Sequence, residues 1–490
     1  MAYRNLREFV DDLDAAGSLK RVTAPVSPYL EITEIADRVT KAEGPALLFE
    51  NVEGSDVPLL INAYGSYDRM ARSLGVEDIE EIAAEIDDMI KLAPPQTFME
   101  KMRTAATLAK VARFPPKTVR SGPCQDVVLQ RDDVDLLRFP IITCWPEDAG
   151  PYITFGQVLT KSLGSGARNV GLYRVQVFDK DTAAMHWHMH HDGARHYREY
   201  CDAGERMPIA VAIGGDPVLP YAATAPLPPS IDELLFAGFL RKDHVPLVTA
   251  ATLTKDNGYA VDIEVPAEAD IVIEGYLEPN ELVTEGPFGD HTGFYSLADE
   301  YPKFHITAIT HRRDPIYHTI IVGKPPQEDY YLGKATERIF LPLLRTQLPE
   351  VVDMNLPIFG VFHNFVFVSI DKQYPWHAKK VMSAIWGTGQ MMFSKIIVVV
   401  DAHVNVQDTD EVWFHVGSNV DPRRDVSFTD GPVDILDHAS PMLGIGSKMG
   451  IDATKKWETE GFDREWPTEI VMTDEVREKV DKRWREYGLG

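Results

Sequence analysis

The amino-acid sequence predicts a multidomain protein of mixed α+β and α/β class. It reads as an N-terminal α/β domain (residues 1–117), a central, mostly antiparallel sheet or barrel (118–312) and a C-terminal α/β domain with a terminal helix (313–490). Three observations predict it. The chain has 490 residues, more than one hydrophobic core usually serves. Helix-period segments alternate with short apolar runs at both ends. Between them the pattern turns to period two, interrupted by Pro, Gly and Asp turns.

The elements follow in order. Leu6, Phe9, Val10 and Leu13 share one helix face and stop at Gly17, and Ser27-Pro28 opens a second helix through Ile32, Ile35 and Val39. "ALLFENV" and "PLLINAY" read as buried strands, and "DIEEIAAEIDDMIKL" as a helix broken by "APP". In the centre, "YRVQVF", "AVDIEV", "DIVIEGYL" and "FHITAIT" are strand-like, "LPYAATAPLPPS" is a Pro-rich loop and "SIDELLFAGFLR" a short helix. Beyond "HRRDP", the strands "NFVFVSID" and "KIIVVVDA" surround the helical "WHAKKVMSAIWG". The tail "TDEVREKVDKRWREYG" has Thr473 or Asp474 as its cap and a narrow stripe of Val476, Val480 and Trp484, the pattern of a helix that docks, for instance on a second subunit.

Composition removes several function classes. Hydrophobic content of 44% and charged content of 25% belong to an ordinary globular protein. The net charge is −26, from 75 acidic and 49 basic residues, with no basic run to neutralise phosphates, so nucleic acid is not an expected partner. Three cysteines without CxxC spacing argue against a disulfide framework and a thiolate zinc site. The charged N-terminus carries no signal core and no apolar run reaches the roughly 20 residues of a membrane span. A cytoplasmic location is the expectation.

"MHWHMHHDGARH", residues 185–196, holds five of the fifteen histidines. Alternating runs flank the turn-rich "DKDT", so a β-hairpin is expected, with His186, His188 and His190 on one face and Trp187, Met189 and His191 on the other. A four-residue loop pairs Phe178 with Ala183, Gly171 with His190 and Asn169 with Asp192, which makes Asn169 and His190 neighbours. An amide oxygen beside an imidazole suits a borderline-to-hard divalent ion. Histidines of a half-buried strand also serve as structural hydrogen-bonding groups, and both readings stand. Glu233 is a candidate carboxylate partner, while "SIDE" equally spells a capping box of Ser230 and Glu233.

In "TEGPFGDHTGFY", Glu285 and Asp290 flank Gly-Pro-Phe-Gly, a loop able to turn both carboxylates into one cavity, with His291 as a further proton carrier; a plain polar turn is the alternative. Arg174, within an apolar strand, requires a partner or a ligand. It lies five residues after Asn169, on the opposite face of a regular strand, so a shared site requires Asn169 to precede the strand or a bulge to intervene.

Together "NVGLYR", "MHWHMHHDGARH", "EGPFGDHTGFY" and "ASPMLGIGSKMGIDATKKW" resemble the UbiD family of reversible decarboxylases over essentially the whole chain. The resemblance implies a central split β-barrel of flavin-reductase type and a dimerising C-terminal domain. It implies prenylated FMN, supplied by a separate flavin prenyltransferase and held through a divalent metal, typically Mn2+, and K+. Position by position it makes Asn169, His190 and Glu233 metal ligands and residues 222–225 the potassium site. Leu172, Tyr173, Arg174, His186, Trp187, His188, His190, His191 and the phosphate-binding Lys395 would line the cofactor. Arg174, Glu285 and Asp290 would be the catalytic trio, with Asp290 as proton donor. Tyr330, Tyr331, Leu332, Met442 and Leu443 would form the wall around a small aromatic, heteroaromatic or α,β-unsaturated carboxylic acid. Two other functions are the alternatives: a cupin-like metal oxygenase or hydrolase using several of His186, His188 and His190 around one ion, and a non-catalytic prenylated-flavin binder, against which the intact Arg174, Glu285 and Asp290 trio argues.

Overall fold

The structure, a computed structural model, describes residues 3–91, 113–188, 191–227 and 231–489. The first helix, Leu6–Ala15, forms for local reasons. The Asn5 side chain accepts the Glu8 amide at 3.2 Å, Leu6, Phe9, Val10 and Leu13 are buried along one face, and Gly17 at φ +69° ends it. The second helix, Glu31–Lys41, begins later than the Ser27-Pro28 expectation. Leu30 stands at φ 65°, a left-handed position that no helix passes through. Strands Leu19–Val22, Ala46–Phe49 and Leu59–Ile61 form a sheet whose fourth strand, Tyr317–His318, returns from beyond the central region and runs parallel to Leu59–Ile61.

The central sheet has nine strands, all paired antiparallel, and curls as a half-barrel. Its order is Tyr152–Ile153, Val175–Val177, Thr182–Met185, Asp299–His311, Ile271–Glu285, Met207–Ile213, Gln157–Lys161 and Arg168–Leu172, with Val127–Gln130 also on Asp299–His311. Met207–Ile213 is buried at every position because both faces are covered. Two expectations change here. Only the last two residues of "AVDIEV" enter a strand, Glu264–Pro266, which leaves the main sheet to pair with Pro246–Thr249. The Pro-rich stretch contains a short helix, Val218–Ala222, since Pro220 falls early enough in it to cost no essential hydrogen bond.

The hairpin forms one register away from the expected one. Ala183 pairs with Val177, not Phe178, because Asp179 accepts the amides of Asp181 and Thr182 at 3.0 and 2.9 Å and closes a tighter turn. The ladder also stops at Met185. Arg168–Leu172 pairs instead with Gln157–Lys161, which places Gly171 opposite Val158 and Asn169 opposite Thr160, and Asp192 opens the helix Asp192–Ala203. The expected Gly171–His190 and Asn169–Asp192 pairs are therefore replaced. His190 and Met189 lie outside the described residues.

The C-terminal sheet runs Val351–Asn355, Phe365–Ile370, Ile396–Asp401, Ile445–Asp452 and Val426–Pro432. Its inner strands are parallel and continuous in apolar residues, and alternate side chains fill two cores. Val366, Val368, Ile397 and Val399 pack with helix His377–Trp386, while Phe367, Val398 and Val400 pack with Val412 of Thr409–Asn419. The helix Asp474–Arg483, with Thr473 at its N-cap, buries no residue on this chain, and Val476 and Trp484 are exposed. Among the described residues no helix is long and apolar enough to cross a membrane.

Candidate active site

The strand Arg168–Leu172 ends where it does because Val175 already belongs to another ladder, so Tyr173 and Arg174 form a break. That break, and not a bulge, frees Arg174 from the alternation that would oppose it to Asn169. Its guanidinium is buried, with each of its three nitrogens donating to a neighbour. Nε donates to Glu285 Oε1 at 2.8 Å and Nη2 to Glu285 Oε2 at 3.1 Å, Nη1 donates to Asp290 Oδ2, and Nη2 reaches Ser296 Oγ at 3.0 Å. Phe288 lies 4.7 Å beneath the guanidinium carbon. Glu285 is the last residue of the strand Ile271–Glu285, and Gly286 at φ 87° turns the chain so that Asp290 comes back to the same cation.

Burial opposes ionisation of both carboxyls, but their partners win. Bonds from His186 and Arg174 hold Glu285 down at about 2. Bonding to His291 and the charge of Arg174 hold Asp290 well below the usual carboxylate range. His291 shows the reciprocal effect: burial would lower it, yet Asp290, at 3.0 Å from its Nδ1, together with Asp434 and Asp329 raises it to about 9. At neutral pH the cluster holds an arginine, an imidazolium and two carboxylates.

His186 Nδ1 lies 3.0 Å from Glu285 Oε2, and its Nε2 lies 2.8 Å from His188 Nε2. Because Glu285 is ionised, the network assigns the proton to His186 Nδ1, and Nε2 accepts from His188. Burial lowers both imidazoles, His188 to about 3. His191 accepts the His188 amide at Nδ1 (3.1 Å) and stacks on its ring, so it joins His188 rather than the opposite face. Trp187 does point the other way, against Tyr173 and Tyr197. His186 thus has both nitrogens committed to neighbours.

Asn169 is buried, and its amide nitrogen has no hydrogen-bond partner among the described residues. Glu233 faces the same strand, accepting the Val170 amide at 3.0 Å. It is the first residue of the helix Glu233–Arg241 and does not cap it. Asp232 is the N-cap, accepting the Leu234 amide at 2.8 Å, and Ser230 lies outside the described residues. Burial, with Asp232 and Asp192 nearby, lifts Glu233 to about 7. The amide oxygen of Asn169 and the carboxylate of Glu233, which meets the neighbouring residue Val170, are the oxygen donors that a hard divalent ion takes. Residues 222–225 run from the last residue of the short helix Val218–Ala222 into a turn, where the Ala222 and Ala225 carbonyls accept the amides of Ala225 and Leu227 at 3.3 and 2.8 Å.

The remaining candidates make other contacts, although the Lys395 amide donates to the carbonyl of His363, the neighbour of His291, at 2.8 Å. Lys395 is bound to Asp437 at 2.7 Å. Tyr331 and Leu332 are buried in the helix Glu328–Gln347, and Tyr330 shares a 2.8 Å hydrogen bond with Tyr67. Met442 and Leu443 are exposed just before the strand Ile445–Asp452, and Leu172 is half-buried against the N-terminal core.

Several neighbours were not legible beforehand. Ser296 binds Arg174 from eight residues beyond Phe288. Tyr301 covers His186 at 4.3 Å. Asp148 accepts the Gly289 amide at 2.7 Å and anchors the acidic loop. His363 meets His291 at 3.2 Å, and Asp329, lifted to about 7 by burial, feels its charge. Only the acid flanking the tyrosines in "QEDYY" offered a signal.

Family models for the N-terminal, Rift-related and C-terminal domains of 3-octaprenyl-4-hydroxybenzoate carboxy-lyase match residues 10–86, 117–325 and 330–453. An uncharacterized protein of Aquifex aeolicus is 52% identical over 490 residues, 99% of each chain. Among solved structures, the UbiD-class enzyme HmfF from Pelotomaculum thermopropionicum in complex with FMN is 31% identical, covers 94% of this chain and 97% of its own, and superposes with TM-score 0.78. An evolved dimeric form of HmfF in complex with prFMN is 30% identical, with 95% and 97% coverage and TM-score 0.77. The vanillic acid decarboxylase of Sedimentibacter hydroxybenzoicus, in closed form, is 27% identical over 100% of both chains at TM-score 0.85.

Proposed function

This chain belongs to the UbiD family and is a decarboxylase, and from that premise we propose that it catalyses the reversible, non-oxidative decarboxylation of an aromatic, heteroaromatic or α,β-unsaturated carboxylic acid. The observation that supports this reading best is the buried bridge of Arg174 between Glu285 and Asp290. Loss of carbon dioxide from an unsaturated carbon leaves a carbanion that no side chain can delocalise. Prenylated FMN, when bound, supplies that electron sink.

The protein's part is orientation, exclusion of water and a proton. Arg174, held in place by Glu285 and Ser296, orients the substrate carboxylate. Asp290 delivers the proton that replaces carbon dioxide. Its carboxylate is ionised at rest, so it must first take a proton, and the His291 imidazolium at 3.0 Å is the group positioned to return one from solvent. Carboxylation runs the same steps backwards, with bicarbonate concentration setting direction. His186, His188, His191, Trp187, Tyr173 and Leu172 shape the flavin pocket. Asn169, His190 and Glu233 hold a divalent ion, Mn2+ in this reading, residues 222–225 hold K+, and Lys395 reaches the phosphate after releasing Asp437. The exposed stripe of the terminal helix supports a homodimer, which light scattering would test.

The test is co-expression with a flavin prenyltransferase, followed by an absorption spectrum and a screen of aromatic acids for deuterium exchange at the carboxyl-bearing carbon. Flavin binding together with exchange on at least one acid is expected. A flavin-free, exchange-silent protein would refute the reading.

A further inference from the structure

One cluster next to the acidic loop is used only in part by this chemistry. His291 Nε2 and His363 Nε2 are 3.2 Å apart, Asp434 Oδ1 lies 3.9 Å from His363 Nε2, and the three ligand atoms are all within 4.8 Å of one another. His363 is buried and the other two are half-buried. We propose that His291, His363 and Asp434 form a second cation site, for a borderline divalent ion such as zinc or cobalt, which ties the C-terminal α/β region to the central sheet.

The geometry carries this. A four-coordinate ion with bonds of ~2.0–2.1 Å holds its ligand atoms roughly 3.3 Å apart, close to the spacing of the two imidazole nitrogens, and a small movement of Asp434 completes three vertices. The orientation of the ligands is already set. Asp290 Oδ1 lies 3.0 Å from His291 Nδ1 and accepts a hydrogen bond from it, turning Nε2 towards His363, the carboxylate–histidine arrangement that supports metal-bound imidazoles. The Leu436 amide donates to Asp434 Oδ1 at 2.8 Å and fixes that carboxylate. Without an ion, the His291 Nε2 proton bridges the two rings, and the ion takes its place.

Ligand chemistry names the ion class. Two imidazoles and one carboxylate, with no thiolate or carbonyl, select zinc or cobalt over calcium or magnesium, and water completes the shell. Asp329 and the chain's net charge of −26 favour a cation there. The three residues come from separate segments, the loop after Ile271–Glu285, the turn before Phe365–Ile370 and the loop after Val426–Pro432, so an ion cross-links them. A second group, His403, His415 and Glu469, lacks this preparation. There the Asn419 amide nitrogen, held by the Ala453 carbonyl, faces His415 Nδ1, which leaves the proton on the nitrogen that would have to bind.

Ion binding is read without turnover, so its failure is distinguishable from that of the decarboxylation reading, although an ion on His291 Nε2 would displace the proton this residue returns to Asp290. The full-length protein, stripped with chelator, is titrated with Co2+ while its visible absorption is followed. Beside any cobalt held by Asn169, His190 and Glu233, one equivalent producing the intense ligand-field band of a four-coordinate ion is expected. His363→Ala and Asp434→Asn should each weaken it at least ~100-fold, while Glu233→Gln keeps it. A band unchanged in the first two variants, or lost only in Glu233→Gln, overturns the proposal. Should His363→Ala fail to fold, X-ray absorption of the Glu233→Gln protein loaded with one equivalent of zinc decides. Two imidazoles and one carboxylate support the site, and any other ligand set refutes it.

Discussion

Replacing Asp290 by asparagine tests the centre of the proposed chemistry with little change of shape. Asp290 Oδ1 accepts from the His291 amide at 2.7 Å and faces its Nδ1 at 3.0 Å, while Oδ2 accepts from Arg174 Nη1. An amide keeps one acceptor oxygen, so Asp290→Asn retains the His291 side and sets a donor against Arg174. Two magnitudes follow. General acid catalysis contributes roughly 10²–10⁴-fold, so the barrier should rise by about 3–5 kcal/mol and turnover fall correspondingly. His291 loses the partner that lifts it, and burial then dominates, so it should fall from about 9 to below its ordinary 6.5. That change is worth about 3 kcal/mol. The assays are single-turnover decarboxylation of an acid found by the exchange screen and a proton NMR titration of the His291 ring. The flavin spectrum should stay unchanged. Turnover within ~10-fold of the parent protein, with His291 still titrating near 9, would refute the reasoning.

Three further outcomes are expected. Arg174→Met leaves two buried carboxylates without their cation and should cost about 3–5 kcal/mol in urea unfolding; a loss under ~1 kcal/mol would show the bridge to be energetically idle. Glu285 is depressed to about 2 from 4.5, so its contribution to stability is present above 4.5 and disappears as pH falls towards 2. Glu285→Gln should accordingly flatten the stability profile across that window in a chemical-denaturation series, and an unaltered slope would contradict the assignment. Glu233→Gln should weaken Mn2+ binding ~10–100-fold by electron paramagnetic resonance titration, whereas equal affinity would remove Glu233 from the ion site.

What could be read from the sequence depended on the range of the interaction involved. The helix Leu6–Ala15 and the strands Phe365–Ile370 and Ile396–Asp401 were legible because their apolar spacing matches one period and their ends carry local signals. The hairpin at "DKDT" was legible as a hairpin but misplaced by one residue, since Asp179 chose the turn and a turn sets the register of everything beyond it. The helix at "SIDE" was expected in the right place with two readings open for Glu233, capping box or ligand; the cap is Asp232, and Glu233 accepts from Val170 across the fold.

By itself the sequence determined the class of fold and which residue types could do chemistry, because periodicity, charge and the long motifs around Arg174, Glu285 and Asp290 are written along the chain. Only the tertiary structure decided where those groups meet. Arg174 escapes its strand because two ladders claim the residues on either side of it, and His291 finds His363 and Asp434 because the C-terminal sheet closes beside the acidic loop. Such contacts join residues from 70 to more than 140 positions apart, 72 in the case of His291 and His363. No local propensity encodes them, since they arise from the packing of whole sheets.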